Sequence, residues 1–131
     1  MTISRRLSLL SALGFVACTN PGDKLEILPM TIGEWRRKAV ENIPVEEYPE
    51  DLKRLGVKRA RRGIYQAANR VTASIYEFAV PAVAFELVQK WRPQPRKIVF
   101  DKGAYFVQLE SDRDDNASLN MFAAALERGL K

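Results

Sequence analysis

Histidine is absent from this chain and cysteine occurs once, at Cys18. Without histidine there is no Ser–His–Asp triad and no Cys–His pair, and a single cysteine cannot build a standard zinc site. A disulfide within the chain is excluded for the same reason. The seven glycines are scattered singly, so no Gly-rich loop is present to cradle a phosphate. A membrane-spanning helix needs about twenty apolar residues. The stretch that comes nearest, Leu7 to Ala17, has eleven. What remains is 131 residues, 47% hydrophobic and 28% charged, with a net charge of +5 and a sequence pI of about 9.6. That composition suits one globular domain with a real core and excludes a disordered tail or a fibre.

The first twenty residues read as an address. Arg5 and Arg6 form a short positive start, Leu7 to Ala17 carry no charge, and Thr19-Asn20-Pro21-Gly22-Asp23 then break the chain. This is the layout of a secretory signal peptide, with a buried N-terminal helix as the plainer alternative. Cys18 ends the apolar run and resembles the lipobox cysteine of bacterial lipoproteins, which becomes the acylated first residue. Phe15 stands where that pattern usually has Leu, and plain cleavage near Ala17 is the other reading. Ser4-Arg5-Arg6-Leu7-Ser8-Leu9 also resembles a twin-arginine export signal, with Ser8 and Leu10 departing from its Phe and Lys. The expected division is 1–17 signal peptide, 18–24 tether and 25–131 a single domain. Removing residues 1–17 takes two arginines and no acid, which lowers the net charge to +3. Outside the cytoplasm, nucleic acid is not an expected partner.

The periodicity predicts the elements of that domain. Pro49 to Leu55 reads as a short helix, with acids Glu50 and Asp51 at its start, Lys53 and Arg54 at its end, and Gly56 at C′. Lys58 to Gln66 is a polar strand, Ala67-Ala68-Asn69 a turn, and Arg70 to Phe78 a second strand. Its Val71, Ala73 and Ile75 alternate with Thr72, Ser74 and Tyr76. Pro81 opens a helix whose Ala84, Leu87, Val88 and Trp91 form one apolar stripe, closed by Pro93 and Pro95. Lys97–Phe100 and Ala104–Leu109 flank a turn at Asp101-Lys102-Gly103. Asp115, Asn116 or Ser118 caps a last helix carrying Leu119, Phe122, Ala123, Leu126 and Leu130 on one side. Ile32 and Trp35 are expected over an edge or end of this core. The fold class is therefore α+β. From Val57 the order is strand, strand, helix, strand, strand, helix, an antiparallel sheet with helices on one face.

Lys53, Arg54, Lys58, Arg59, Arg61 and Arg62 form the strongest charge bias. Arg59 and Arg61 share one side of a strand, Lys58 and Arg62 the other, which points to an exposed edge strand. Its functional reading is an anion-binding stripe for lipid headgroups, acidic polysaccharide or an acidic partner; its plainer reading is a solvated edge. Asp112, Asp114 and Asn116 imitate the opening of an EF-hand loop. Ala117 and Ala123 stand where Gly and the bidentate Glu are required, so no metal site is expected. The acid pairs Glu46-Glu47 and Glu50-Asp51 are read as surface charge, since glycosidase carboxylates face each other across a cleft. Trp35, Trp91, Tyr65, Tyr76 and Tyr105 are candidates for a sugar platform or, more simply, for core packing.

Ile32-Gly33-Glu34-Trp35, Ser74-Ile75-Tyr76-Glu77-Phe78, Ala84-Phe85-Glu86-Leu87-Val88-Gln89-Lys90-Trp91 and Lys102-Gly103-Ala104-Tyr105-Phe106-Val107 occur in that order. Together they resemble an uncharacterised family of exported bacterial domains of unknown function, over residues 28–128. The resemblance implies a periplasmic or envelope setting and no particular activity. Pro29-Met30-Thr31-Ile32-Gly33-Glu34-Trp35 is also similar to the opening of an exosortase-associated family. That family's later Cys and His have no counterpart here, so its function is not carried over.

The resulting expectation is an exported, lipid-anchored envelope protein acting as a non-enzymatic binding or assembly module. It would meet a membrane through Cys18, with an envelope protein or anionic polymer as partner and no cofactor. Two alternatives stay open: a carboxylate-based hydrolase of envelope glycans, and a module binding anionic lipid or polysaccharide through the Lys53–Arg62 stripe.

Overall fold

The computed structural model describes residues 28–130. The expected signal peptide and tether, Cys18 and the first residues of the expected domain lie outside them. Ten elements follow in order. They are β1 (Thr31–Ile32), β2 (Trp35–Asn42), a 3₁₀ turn (Val45–Glu47), α1 (Glu50–Arg54), β3 (Arg59–Gln66), β4 (Arg70–Glu77), α2 (Pro81–Lys90), β5 (Lys97–Lys102), β6 (Tyr105–Ser111) and α3 (Asn116–Gly129). The six strands form one antiparallel sheet in the order β1-β2-β3-β4-β6-β5.

Short-range chemistry accounts for most boundaries. The turns joining β1 to β2 and β5 to β6 each place glycine first of two turn residues. Gly33 and Gly103 both have φ +57°, a conformation glycine adopts without steric cost. Pro49 precedes α1, and Gly56, at φ +83°, stops it after five residues. Pro81 is the first residue of α2. The Asp115 carboxylate accepts a hydrogen bond from the Ser118 amide at 3.1 Å, which identifies the cap of α3.

Helices on one face of the sheet is the expectation the structure corrects. Leu119, Phe122 and Leu126 of α3 pack with Trp35, Tyr65, Val71, Ala73, Ile75, Val107 and Leu109. Ala84 of α2 and Leu52 of α1 pack with Ala60, Tyr76 and Phe106 in a separate cluster. Tyr76 pairs with both Ala60 and Phe106 across the sheet, and Ile75 with Val107, so the two clusters lie on opposite faces. The physical reason is the Tyr76–Phe106 pair. Two large rings side by side on the second face must be covered, and α2 follows β4 closely enough to cover them.

The N-terminal part of the sheet, β1 and β2, was not foreseen as strand. The sequence Trp35-Arg36-Arg37-Lys38-Ala39-Val40-Glu41-Asn42 shows no clean alternation. The register explains this, because an irregularity between Arg37 and Ala39 inserts an extra residue at Lys38 and inverts the in–out pattern. With β2 outside it, β3 is an inner strand, which corrects the edge placement of the basic stripe.

Under α3 the aromatic packing is edge-on. Phe122 lies 5.3 Å from the Trp35 ring at 83° and 5.2 Å from the Tyr65 ring at 70°, the arrangement aromatic quadrupoles prefer. A buried polar knot ties the same region. Asn69 accepts hydrogen bonds from Trp35 Nε1 (3.2 Å) and Ser118 Oγ (3.3 Å), and its amide donates to Ser111 Oγ (3.0 Å). One side chain in the β3–β4 turn thereby joins β2, the end of β6 and the first turn of α3.

Candidate functional site

The basic stripe is largely neutralised from within. Arg59 pairs across the sheet with Glu77, whose side chain is only 16% exposed. Arg62 binds Glu41 at 2.6 Å and Glu47 at 3.2 Å. The hydrogen bond to Glu41 contributes most to raising the Arg62 guanidinium above its ordinary pKa. On α1, Lys53 lies 3.6 Å from Glu50 and Arg54 lies 2.9 Å from Asp51. Arg61 donates to Asn42 Oδ1 at 3.2 Å, and its Nε is buried with no hydrogen-bond partner. Lys58 is exposed. Cross-strand acids let an inner strand carry this many arginines, because each paired charge needs less water than a free one. The six cations therefore do not form one open anion-binding band.

The other sequence candidates also have structural work. Glu47, Glu50 and Asp51 engage the cations just named, while Glu46 sits beside Glu47 on the 3₁₀ turn. Asp112 accepts from the Arg70 amide at 2.8 Å, and Asp115 caps α3. Among the described residues no group of three or more His, Cys, Asp or Glu side chains could hold a metal ion. Trp35, Tyr65 and Tyr105 belong to the α3 side of the sheet and Tyr76 and Trp91 to the α2 side, so the aromatics form no single platform. Burial raises the proton affinity of Tyr48, Tyr76 and Tyr105, and pushes the Tyr65 hydroxyl up to about 12. Tyr65 donates to the Pro29 carbonyl at 2.6 Å, a bond its ionisation would destroy.

The concave feature that sequence reasoning did not find lies between α1 and α2. Its volume is about 530 Å³, and Leu52, Leu87, Trp91 and Phe106 supply an aliphatic and aromatic floor. Arg54, Lys90, Arg92, Gln94 and Asp51 supply polar groups around it. Asp51 is held by Arg54, and among the described residues neither Lys90 nor Arg92 is paired with an acid. Trp91 is half-buried, its ring centroid 6.3 Å from that of Phe106, and its Nε1 is buried with no hydrogen-bond partner. The sequence contained one sign of this place, the apolar stripe ending at Trp91 between Lys90 and Arg92. Nothing local to that segment indicates that α1 stands opposite.

Comparison of the chain with protein-family models, curated proteins and solved structures finds no match. Among the described residues, no helix is long and apolar enough to cross a membrane.

Proposed function

We propose that this chain is an exported module of the bacterial envelope, anchored by lipid on Cys18, that acts by binding at the α1–α2 cleft rather than by catalysis. The observation that carries the binding half is the cleft itself, an apolar and aromatic floor below a few cations, with its carboxylate already engaged by Arg54. Sites that hold small molecules are commonly built this way, with apolar walls giving affinity and a few polar groups giving orientation. The export half is supported by Arg5 and Arg6, the apolar run to Ala17, the cysteine that ends it, and the resemblance to exported domains.

The two halves fit together physically. The Thr19–Asp23 tether reaches at most about 18 Å. An anchored domain would stand within about two Debye lengths of the headgroups at physiological salt. The basic-stripe alternative has less support, since Arg54, Arg59 and Arg62 are engaged by acids. The glycan-hydrolase alternative has less support for the matching reason, since Glu47, Glu50 and Asp51 are engaged by cations.

Intact-mass analysis of the protein from membrane and soluble fractions tests the anchor. The expected species begins at Cys18 and carries acyl chains in the membrane fraction. A soluble species beginning at Met1 refutes export and anchoring together.

A further inference from the structure

We infer that the α1–α2 cleft is a site for an anionic amphiphile, a molecule with an apolar body and a carboxylate or phosphate at one end. This deepens the binding reading above and rests on it, but not on the anchor. Three independent features select that chemistry. The apolar lining still open to water is Leu55, Leu87 and Trp91, above the buried Leu52 and Phe106, and it favours a ligand that removes apolar surface from water over a small hydrophilic anion. The volume of about 530 Å³ falls in the range of small-molecule sites.

The charge around the floor is positive after its internal compensation is counted. Arg54, Lys90 and Arg92 stand against Asp51 and against the C-terminus of α2, whose free carbonyls amount to roughly half a negative charge. More than one positive unit remains, carried by Lys90 and Arg92. The third feature is the indole of Trp91. An indole N–H is a donor only, and this one is buried without an acceptor from the protein. Where the Trp91 ring, which lines the cleft, shifts on binding to uncover this N–H, a carboxylate or phosphate oxygen would supply the acceptor, whereas a quaternary ammonium head would not.

The two tryptophans make the test direct. Trp35 is 3% exposed in the cluster on the opposite face, so a change in emission on ligand addition reports Trp91. The full-length chain is titrated with decanoate and decyl phosphate below their micelle-forming concentrations. Decyltrimethylammonium and decyl glucoside serve as controls with the same tail, and phosphatidylglycerol vesicles present the same chemistry as a surface. A saturable blue shift is expected with both monomeric anions, and none in Trp91→Phe. Lys90→Glu with Arg92→Glu, both on exposed side chains, should weaken decanoate binding about tenfold and alter the decyl glucoside response less than about twofold. No response to the monomeric anions overturns the proposal, as does an equal response to decyltrimethylammonium or a shift that persists in Trp91→Phe. A response to vesicles alone also overturns it, in favour of a bilayer contact. A Met1-starting soluble protein in the mass analysis would defeat the anchor and leave this titration standing.

Discussion

Replacing Asn69 by alanine tests the fold at the point where four segments meet. The side chain is 3% exposed and makes three hydrogen bonds: from Trp35 Nε1, from Ser118 Oγ and to Ser111 Oγ. The variant leaves these partners in different positions. Ser118 is half-buried and can turn to water. Ser111 is 2% exposed but keeps the bond its Oγ accepts from the Arg113 amide at 3.1 Å. The Trp35 indole is buried beneath α3 and loses its acceptor outright. An orphaned buried donor costs about 1–3 kcal/mol, and the two other lost bonds, whose serines keep or regain a partner, about 0.5 each. The expected total is about 2–4 kcal/mol, a large part of the roughly 5–15 kcal/mol that holds a domain of this size. In equilibrium urea unfolding the midpoint should fall by about 2 M, for an m-value near 1.5 kcal/mol/M.

A double-mutant cycle with Trp35→Phe separates the knot from simple loss of volume. If the Trp35–Asn69 bond is the costly element, the two single losses should exceed the double loss by about 1 kcal/mol or more. Additive losses, or an Asn69→Ala cost below about 0.5 kcal/mol, would refute the reasoning.

Other perturbations follow from the same geometry. Phe122→Ala removes a fully buried ring that meets Trp35 and Tyr65 edge-on, and should cost about 3–5 kcal/mol in thermal or chemical unfolding; a loss under 1 would contradict the packing. Tyr65 ionises near 10 when unfolded and at about 12 when folded, so its contribution is intact below pH 10 and is lost as pH rises toward 12. Stability should decline by about 2–3 kcal/mol over that window, and Tyr65→Phe should flatten the decline. An unchanged alkaline limb in the variant would exclude Tyr65 as its source. Arg59→Ala should cost about 1–3 kcal/mol because it strands the largely buried Glu77, while Arg62→Ala, whose acids are 52–59% exposed, should cost less than about 1. The reverse order in urea unfolding would disprove the burial argument.

The sequence was most legible where local chemistry and tertiary packing agree. The α3 stripe, the Gly103 turn, the Pro49–Gly56 brackets of α1 and the Val71–Ala73–Ile75 face are all set by period, capping or backbone freedom, and the structure contains them. It was least legible where a long-range partner changes the meaning of a residue. The arginines of β3 look like an edge until Glu41 and Glu77 are brought beside them from other strands. Tyr76 shares a face with Thr72 and Ser74, and nothing near it in sequence marks that face as buried until Phe106, thirty positions on, is paired with it. The extra residue at Lys38 hides β2 because a two-residue period cannot survive an insertion. The site was invisible for the same reason: its floor draws on α1, α2 and β6, and no stretch of sequence holds more than a fraction of it.

The position of the cleft follows from how incompletely the second face is covered. On the first face α3 is fourteen residues long, about 21 Å, and reaches from the Asn69 knot to Ile32 in β1. On the second face, α2 packs on β5 and β6, while α1 ends after five residues and contributes Leu52 alone to the buried set. Two short helices cannot close over a sheet that one long helix can span. The strip left between them is lined by Leu52, Leu55, Leu87 and Trp91, with Phe106, 1% exposed, beneath it in the cluster that α2 covers. What stops α1 is Gly56 in a left-handed conformation, with open space around the position a side chain would take. Gly56 thus ends α1 where Arg54 and Leu55 line the cleft.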